Sequence, residues 1–148
     1  MKCSIETLFG KKGIRLRDRG AAGHSYVYIV WDGDKNARYI GMAKKQSVPQ
    51  RISLHIGNVF TAKGRANFSQ VLARNNPAYF KWHVEVLSVD QVNRRCARQS
   101  GQECICIESA ERAIYDFYQM SHNETLANSR PPNPRCRDGE CSHTLVRA

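Results

Sequence analysis

The amino-acid sequence predicts a small α/β domain with a central, mainly antiparallel sheet of about three strands flanked by helices. Two strand-like runs surround a turn signal, and a third strand pattern follows later in the chain. Stretches with helical spacing of apolar residues lie between and after these strands. The chain of 148 residues has the length of a single domain and shows no internal repeat.

The first two strands are predicted to form a β-hairpin. Residues 26–31 and 38–41 are rich in β-branched and aromatic side chains, which is typical of strands. Between them, Asp32-Gly33-Asp34 is a turn signal. Apolar and polar residues then alternate over residues 80–87, which predicts a third, half-buried strand.

Helices are predicted in three places. The first begins after Ser47, a possible N-cap with Pro49 in the first turn, and Gly57 is expected to end it. A short second helix is predicted over residues 67–75. A longer third one is predicted over residues 107–120, where apolar residues recur at helical spacing.

The remaining segments are predicted to be irregular. Residues 1–25 form a basic, Gly-rich arm that could lie along a phosphate backbone or be an ordinary mobile tail. Residues 26–128 form the folded domain, in which the basic, Cys-containing residues 93–106 are expected to be a loop. Residues 129–148 form a Pro- and Cys-rich tail whose prolines disfavour regular structure.

The charge of the chain indicates a polyanionic partner. Twenty-three Lys and Arg residues against 13 Asp and Glu residues give a net charge of +10. Such an excess favours nucleic acid through release of counterions, although charge alone does not separate binding from cutting. We expect no membrane association and a cytoplasmic location, because no apolar run approaches the roughly 20 residues of a bilayer span and no signal peptide is recognisable.

Six short motifs or single residues follow one another along the chain: Tyr26-Val27-Tyr28, Tyr39-Ile40-Gly41, Arg51, His55, Glu111 and Asn128. Their order and spacing resemble those of the GIY-YIG nuclease family. The resemblance covers residues 26–128. It departs from the family's usual pattern at Tyr26, where a glycine is usual, and in the longer segment between Gly41 and Arg51.

The resemblance implies the chemistry of phosphodiester hydrolysis. Tyr39 is expected to activate water, directly or as a relay, with Tyr28 in support. Arg51 is expected to hold the scissile phosphate, and His55 to protonate or orient the leaving side. Glu111 is expected to bind Mg²⁺ or Mn²⁺, with water and phosphate completing the ligand shell.

The choice of Glu111 over Glu108 as the metal ligand rests on helical position. Glu111 lies between Ile107 and Ile114, on or beside the face that is expected to point inward, where a carboxylate needs a cation or hydrogen bonds. Glu108 is predicted to lie with Arg112 on the outer, solvated face. Three further residues are predicted to contact nucleic acid: Lys44, Lys45 and Asn128.

The cysteines offer a second metal site. Structural Zn²⁺ could be bound by Cys104, Cys106, Cys136, Cys141 and His143, although their spacing is not that of the usual CxxC pairs. Reduced thiols are the alternative in a chain without a recognisable export signal.

These observations predict a metal-dependent endonuclease that acts on DNA, with a duplex as the expected substrate. Three alternatives remain open: a toxin-like ribonuclease on the same fold, a binding module that has lost activity, and a zinc-stabilised interaction protein. The sequence allows a monomer or a homodimer.

Overall fold

The computed structural model confirms the α/β class and the antiparallel sheet. It describes residues 2–9, 25–44, 46–60, 67–100, 102–104, 106–122, 126–128, 131–133 and 144–146. The strands are β1 (Lys2–Ser4), β2 (Tyr26–Trp31), β3 (Ala37–Ala43), β4 (His83–Leu87), β5 (Gln102–Cys104) and β6 (Thr144–Val146). The helices are α1 (Ile5–Leu8), α2 (Val48–Phe60), α3 (Asn67–Arg74), α4 (Val89–Ser100) and α5 (Ile107–His122), with a 3₁₀ turn over Ala78–Lys81.

The central sheet has four strands in the order β1-β4-β2-β3, rather than the expected three, and all neighbours are antiparallel. The additional strand is β1, from the segment that was predicted to be an arm. Immediately after it, α1 buries Ile5 and Leu8 completely. The prediction of an arm was therefore wrong for the first residues, because these two apolar side chains anchor them to the core. Residues 10–24 lie outside the described residues.

Strand β2 lies in the interior of the sheet and is covered on both faces. Tyr28 and Val30 belong to a core that includes residues of α1, α2 and α3. Val27 and Ile29 belong to a second core that includes residues of α4 and α5. Burial on both faces explains why this strand is apolar or aromatic throughout instead of alternating. The result is three layers, with helices on each side of the sheet.

Helix α2 starts as predicted and ends later than predicted. The Ser47 hydroxyl accepts the backbone N–H of Gln50, and the Gln50 side chain accepts the N–H of Ser47, which is a capping box. The helix continues past Gly57 to Phe60. Ile56 and Val59 pack against the core on either side of that glycine, and their burial outweighs its weak helix propensity. None of the helices in the described ranges has the length and apolarity that a bilayer crossing requires.

The segment predicted to be a loop over residues 93–106 instead contains most of α4 and all of β5. A second capping box starts α4, since Ser88 and Gln91 exchange bonds of 2.8 and 3.2 Å between side chain and backbone. Val92 and Cys96 are buried at i and i+4 on the inner face of the helix. The sequence contained the Ser-x-x-Gln pattern of this capping box. The segment was nevertheless predicted to be a loop because the outer face of the helix is highly charged.

Two further boundaries differ from the predictions. The strand expected over residues 80–87 begins only at His83, because a 3₁₀ turn occupies Ala78–Lys81. In the tail, which was predicted to be irregular, Thr144–Val146 forms β6 and pairs with β5 in a separate two-stranded sheet. The proline-rich segment lies before this strand, so its prolines do not prevent the pairing.

Candidate active site

The hairpin brings Tyr28 and Tyr39 onto the same face of the sheet. In the β2–β3 register, Tyr28 pairs with Gly41, and Val30 pairs with Tyr39. The two tyrosines are therefore diagonal neighbours across the hairpin. Their ring centroids are 6.1 Å apart. Because Gly41 has no side chain, the ring of Tyr28 can occupy the space opposite it.

Helix α2 contributes Arg51 and His55, one turn apart on the side that faces the hairpin. His55 Nε2 is 3.4 Å from the Tyr28 hydroxyl, and its ring lies edge-on to the ring of Tyr39 at 4.8 Å between centroids. The Arg51 guanidinium acts on the Tyr28 hydroxyl by its charge and by a hydrogen bond. Both side chains therefore meet the tyrosines, because residues four apart share one face of a helix.

Glu111 joins this group from α5, which packs along the edge strand β3. Its side chain is half-buried. The negative charge of Glu111 raises the pKa of both Tyr28 and Tyr39, so its carboxylate lies within electrostatic range of the two phenols. Four elements, β2, β3, α2 and α5, thus bring the five predicted catalytic side chains together.

Burial dominates the electrostatics of these side chains. It is the main cause of the raised pKa of Tyr28, followed by the neighbouring Tyr39. Burial and then Glu111 raise the pKa of Tyr39, while Arg51 opposes the shift. Burial and then the charge of Arg51 lower the pKa of His55 to about 4. At neutral pH the imidazole is therefore uncharged, and both phenols carry their protons.

These protonation states define a short hydrogen-bond chain. Arg51 can only donate, so the oxygen of Tyr28 accepts from it. The Tyr28 hydroxyl also lies 3.4 Å from Nε2 of His55, and the tautomer of that ring sets which of the two donates. An uncharged imidazole fits the predicted orienting role of His55 better than the predicted role of proton donor. Within the described residues, Nε of Arg51 is buried without a hydrogen-bond partner.

The structure corrects the prediction for Glu108. Its side chain is 2% exposed, whereas Glu111 is half-buried. Glu108 Oε1 lies 3.0 Å from Nζ of Lys44, which stands directly after β3. A buried carboxylate requires such a partner, and the partner is 64 residues away in the chain. Lys44, predicted to contact nucleic acid, therefore has a structural partner inside the protein, and Lys45 lies outside the described residues.

Asn128 is placed on the backbone of β3. Its amide nitrogen donates to the carbonyl of Ile40 at 2.7 Å, and its amide oxygen accepts the N–H of Ile40 at 3.1 Å. The amide thus acts as a one-residue extension of the sheet beside Tyr39. Both polar groups of this amide are bonded to the backbone of β3, and the contact of Asn128 with nucleic acid stays a prediction.

Sequence reasoning missed Phe68, on α3. Its ring stacks on Tyr39 with centroids 4.4 Å apart and meets the His55 ring edge-on at 5.0 Å. A phenylalanine in an amphipathic helix carries no signal beyond core packing, so the sequence could not have identified this contact.

The described residues test neither of the two predicted metal sites. Among them, no three His, Cys, Asp or Glu side chains form a metal-binding cluster. Mg²⁺ can bind through a single carboxylate if water and phosphate supply the other ligands, and Glu111 meets that requirement. For zinc, the thiols of Cys104 and Cys106 contact Ser109, and the other three predicted ligands lie outside the described residues. The zinc site stays a prediction.

Comparison with known proteins gives no match: no family model, no curated protein and no solved structure is significantly similar to this chain. The resemblance to GIY-YIG nucleases therefore rests on the sequence motifs alone.

Proposed function

We propose that this chain is a metal-dependent nuclease of the GIY-YIG type that hydrolyses phosphodiester bonds in DNA. The single observation that carries the proposal is the meeting of two phenols, a guanidinium, an imidazole and a carboxylate from four separate elements. Hydrolysis of a phosphodiester needs a group that handles the proton of water, a cation for the developing charge, and help for the leaving oxygen. This set of side chains contains a candidate for each.

Tyr39 is the candidate that handles the attacking water, because its side chain is partly accessible whereas Tyr28 is completely buried. The phenol oxygen would accept a hydrogen bond from water and, as phenolate, its proton. The raised pKa of Tyr39 opposes this step, and the largest electrostatic cause is the carboxylate of Glu111. A divalent cation bound to Glu111 would supply positive charge that offsets this carboxylate and polarises the phosphate.

Arg51 would hold the phosphate. Its planar guanidinium can donate two parallel hydrogen bonds to phosphate oxygens. Tyr28 and His55 would keep the guanidinium in place through their hydrogen-bond chain. The net charge of the chain, +10, would attract the phosphate backbone of the substrate.

A plasmid assay tests the proposal. We expect the wild type to nick or cut supercoiled DNA with Mg²⁺ or Mn²⁺ and not with excess EDTA. Tyr39→Phe, Arg51→Ala and Glu111→Ala should each lose about 100-fold or more of the rate while the fold is retained. Arg112→Ala is the matched control, because Arg112 follows Glu111 on α5 but pairs with Asp116 at 2.9 Å.

The same assay separates the alternatives. Undiminished cutting by Glu111→Ala would exclude Glu111 as the metal ligand. Preferential cutting of an RNA substrate would favour the ribonuclease, and binding of DNA without cutting in any metal would favour the inactive binding module. Stoichiometric zinc in the purified protein, with no effect of the three site variants, would favour the interaction protein.

A further inference from the structure

The rings of Tyr39, His55 and Phe68 form a closed triangle in which each ring contacts the other two. Phe68 lies almost parallel to Tyr39, with 13° between the planes and 4.4 Å between centroids. Its edge contact with His55 has a centroid distance of 5.0 Å, and Tyr39 meets His55 at 4.8 Å. One side chain outside the five predicted catalytic residues therefore touches two of them.

Phe68 is itself held firmly. Its side chain is 1% exposed and belongs to the core that also contains Leu72 of the same helix. The next residue, Ser69, is equally buried and donates its hydroxyl to the backbone carbonyl of His55 at 3.3 Å. Helix α3 is thus fixed to α2 at the residue whose ring Phe68 touches.

Tyr39 needs such support because of where it stands. It lies on β3, which is the edge strand of the sheet, and its side chain is only partly buried. The hydroxyl lies at the far end of the side chain, so a small rotation about the Cα–Cβ bond moves it further than any atom of the ring. A displacement of about 1 Å at a reacting group can cost about 100-fold in rate.

We propose that α3 is the positioning element of this site: the Phe68 ring fixes the orientation of Tyr39 and His55, and Ser69 fixes α3 to the backbone of His55. The inference rests on the proposed nuclease function. Phe68 touches no substrate in this scheme and is a positioning residue.

The chain offers a matched control for Phe68. Phe80 also stacks on a tyrosine, Tyr79, at 4.3 Å and packs against the same core. Among the described ring contacts, Phe80 meets neither Tyr39 nor His55. Replacement of either phenylalanine by leucine removes a stacked ring from one core, and only one replacement reaches the site.

The experiment measures kcat and KM for cleavage of a duplex oligonucleotide with Mg²⁺, together with Tm. We expect Phe68→Leu to lower kcat by about 10- to 100-fold with KM changed by less than about twofold. Phe80→Leu should lower Tm and leave kcat at the wild-type value. Ser69→Ala should lower kcat in the same direction by a smaller factor.

A readout without activity tests the geometry directly. In protein with ¹³C-labelled tyrosine, the ring signals of Tyr39, assigned by their loss in Tyr39→Phe, should be shifted upfield by the stacked Phe68 ring. They should move downfield in Phe68→Leu and stay in place in Phe80→Leu. This measurement and Ser69→Ala decide the question even where Phe68→Leu does not fold.

Three results would overturn the inference: an unchanged kcat in folded Phe68→Leu, an equal loss of kcat in Phe80→Leu, or no upfield shift of Tyr39 in the wild type. A wild type that cuts no nucleic acid would instead overturn the proposed function and the catalytic part of this inference. The Tyr39 signals would then still show whether Phe68 positions that ring.

Discussion

At the scale of single residues, Gly41 shows most clearly how backbone space is used for the site. A Cβ atom at this position would lie 2.5 Å from Cζ and from the hydroxyl oxygen of Tyr28, and 2.9 Å from the ring of Tyr39. The ring of Tyr28 is completely buried and cannot swing away at low cost. The glycine of the Tyr-Ile-Gly motif is thus the condition for placing two phenols side by side.

We therefore expect Gly41→Ala to destabilise the protein by about 1–3 kcal/mol through overpacking, and to reduce cleavage strongly because both tyrosines must shift. Urea unfolding and the plasmid assay measure the two effects. Gly57→Ala is the control, since nothing lies within 4 Å of a Cβ there and the position is helical. That change should stabilise by about 0.5–1 kcal/mol. A Gly41→Ala protein with wild-type stability and activity would show that the tyrosines are not packed as described.

At the scale of elements, two asparagine amides extend sheet edges by the same chemistry. Asn128 exchanges two hydrogen bonds with the backbone of Ile40 on β3. Asn93 of α4 does the same with Cys104 on β5, at 2.7 and 2.8 Å. Each amide forms hydrogen bonds with one backbone N–H and one backbone carbonyl that would otherwise be unpaired at the edge of a sheet.

This repetition allows a matched prediction. Asn128→Asp and Asn93→Asp each replace a donating NH₂ group by an oxygen that faces a carbonyl, so each should lower the free energy of unfolding by about 1–3 kcal/mol. Only Asn128→Asp should also lower the cleavage rate per folded molecule, because only Ile40 stands between Tyr39 and Gly41. Denaturant unfolding and the plasmid assay at equal folded concentration test this. Equal activity in the two variants would remove Asn128 from the positioning of β3.

At the scale of the whole molecule, the site is placed where the two helical layers meet the same edge of the sheet. Helix α2 lies on one face and α5 on the other, and β3 is the edge strand. The charges of Arg51 and Glu111 both act on the two tyrosines. The pair of the partly exposed Lys44 and the buried Glu108 ties the end of β3 to α5. Global stability and the geometry of the site are therefore linked.

Acid unfolding should report this link through His55. The pKa of His55 is about 4 in the folded protein and ordinarily 6.5, so between these values the unfolded chain binds a proton that the folded protein does not. Stability conferred by the neutral ring is present above pH 6.5 and is lost as pH falls toward 4, with a slope of at most about 1.4 kcal/mol per pH unit. Replacement of His55 by glutamine should flatten the dependence of unfolding free energy on pH over this range.

The control for this measurement is His83→Gln, at an exposed position of β4. Urea titrations at several pH values give the slopes. Equal slopes in His55→Gln and in the wild type between pH 4 and 6.5 would contradict the claim that the folded protein holds His55 neutral.

Local residue patterns were sufficient to predict the hairpin and several helices. β-Branched and aromatic runs around Asp32-Gly33-Asp34 predicted the hairpin, and helical spacing predicted α2, α3 and α5 close to their observed positions. The order of the motifs also led to the prediction of five catalytic side chains, and the fold brings these side chains together. These features could be read because hydrogen bonding within a helix or hairpin and the burial of one face follow short periods in the chain.

The contact partners of residues that are far apart in the chain depend on tertiary packing. Glu108 is buried because Lys44 reaches it from 64 residues away, and Asn128 serves Ile40 across 88 residues. Phe68 gains its place beside Tyr39 only when α3 packs on α2. A residue's own type and spacing do not encode such a partner, since burial of a charge, an amide or a ring is stabilised or opposed by whatever the folded chain brings against it.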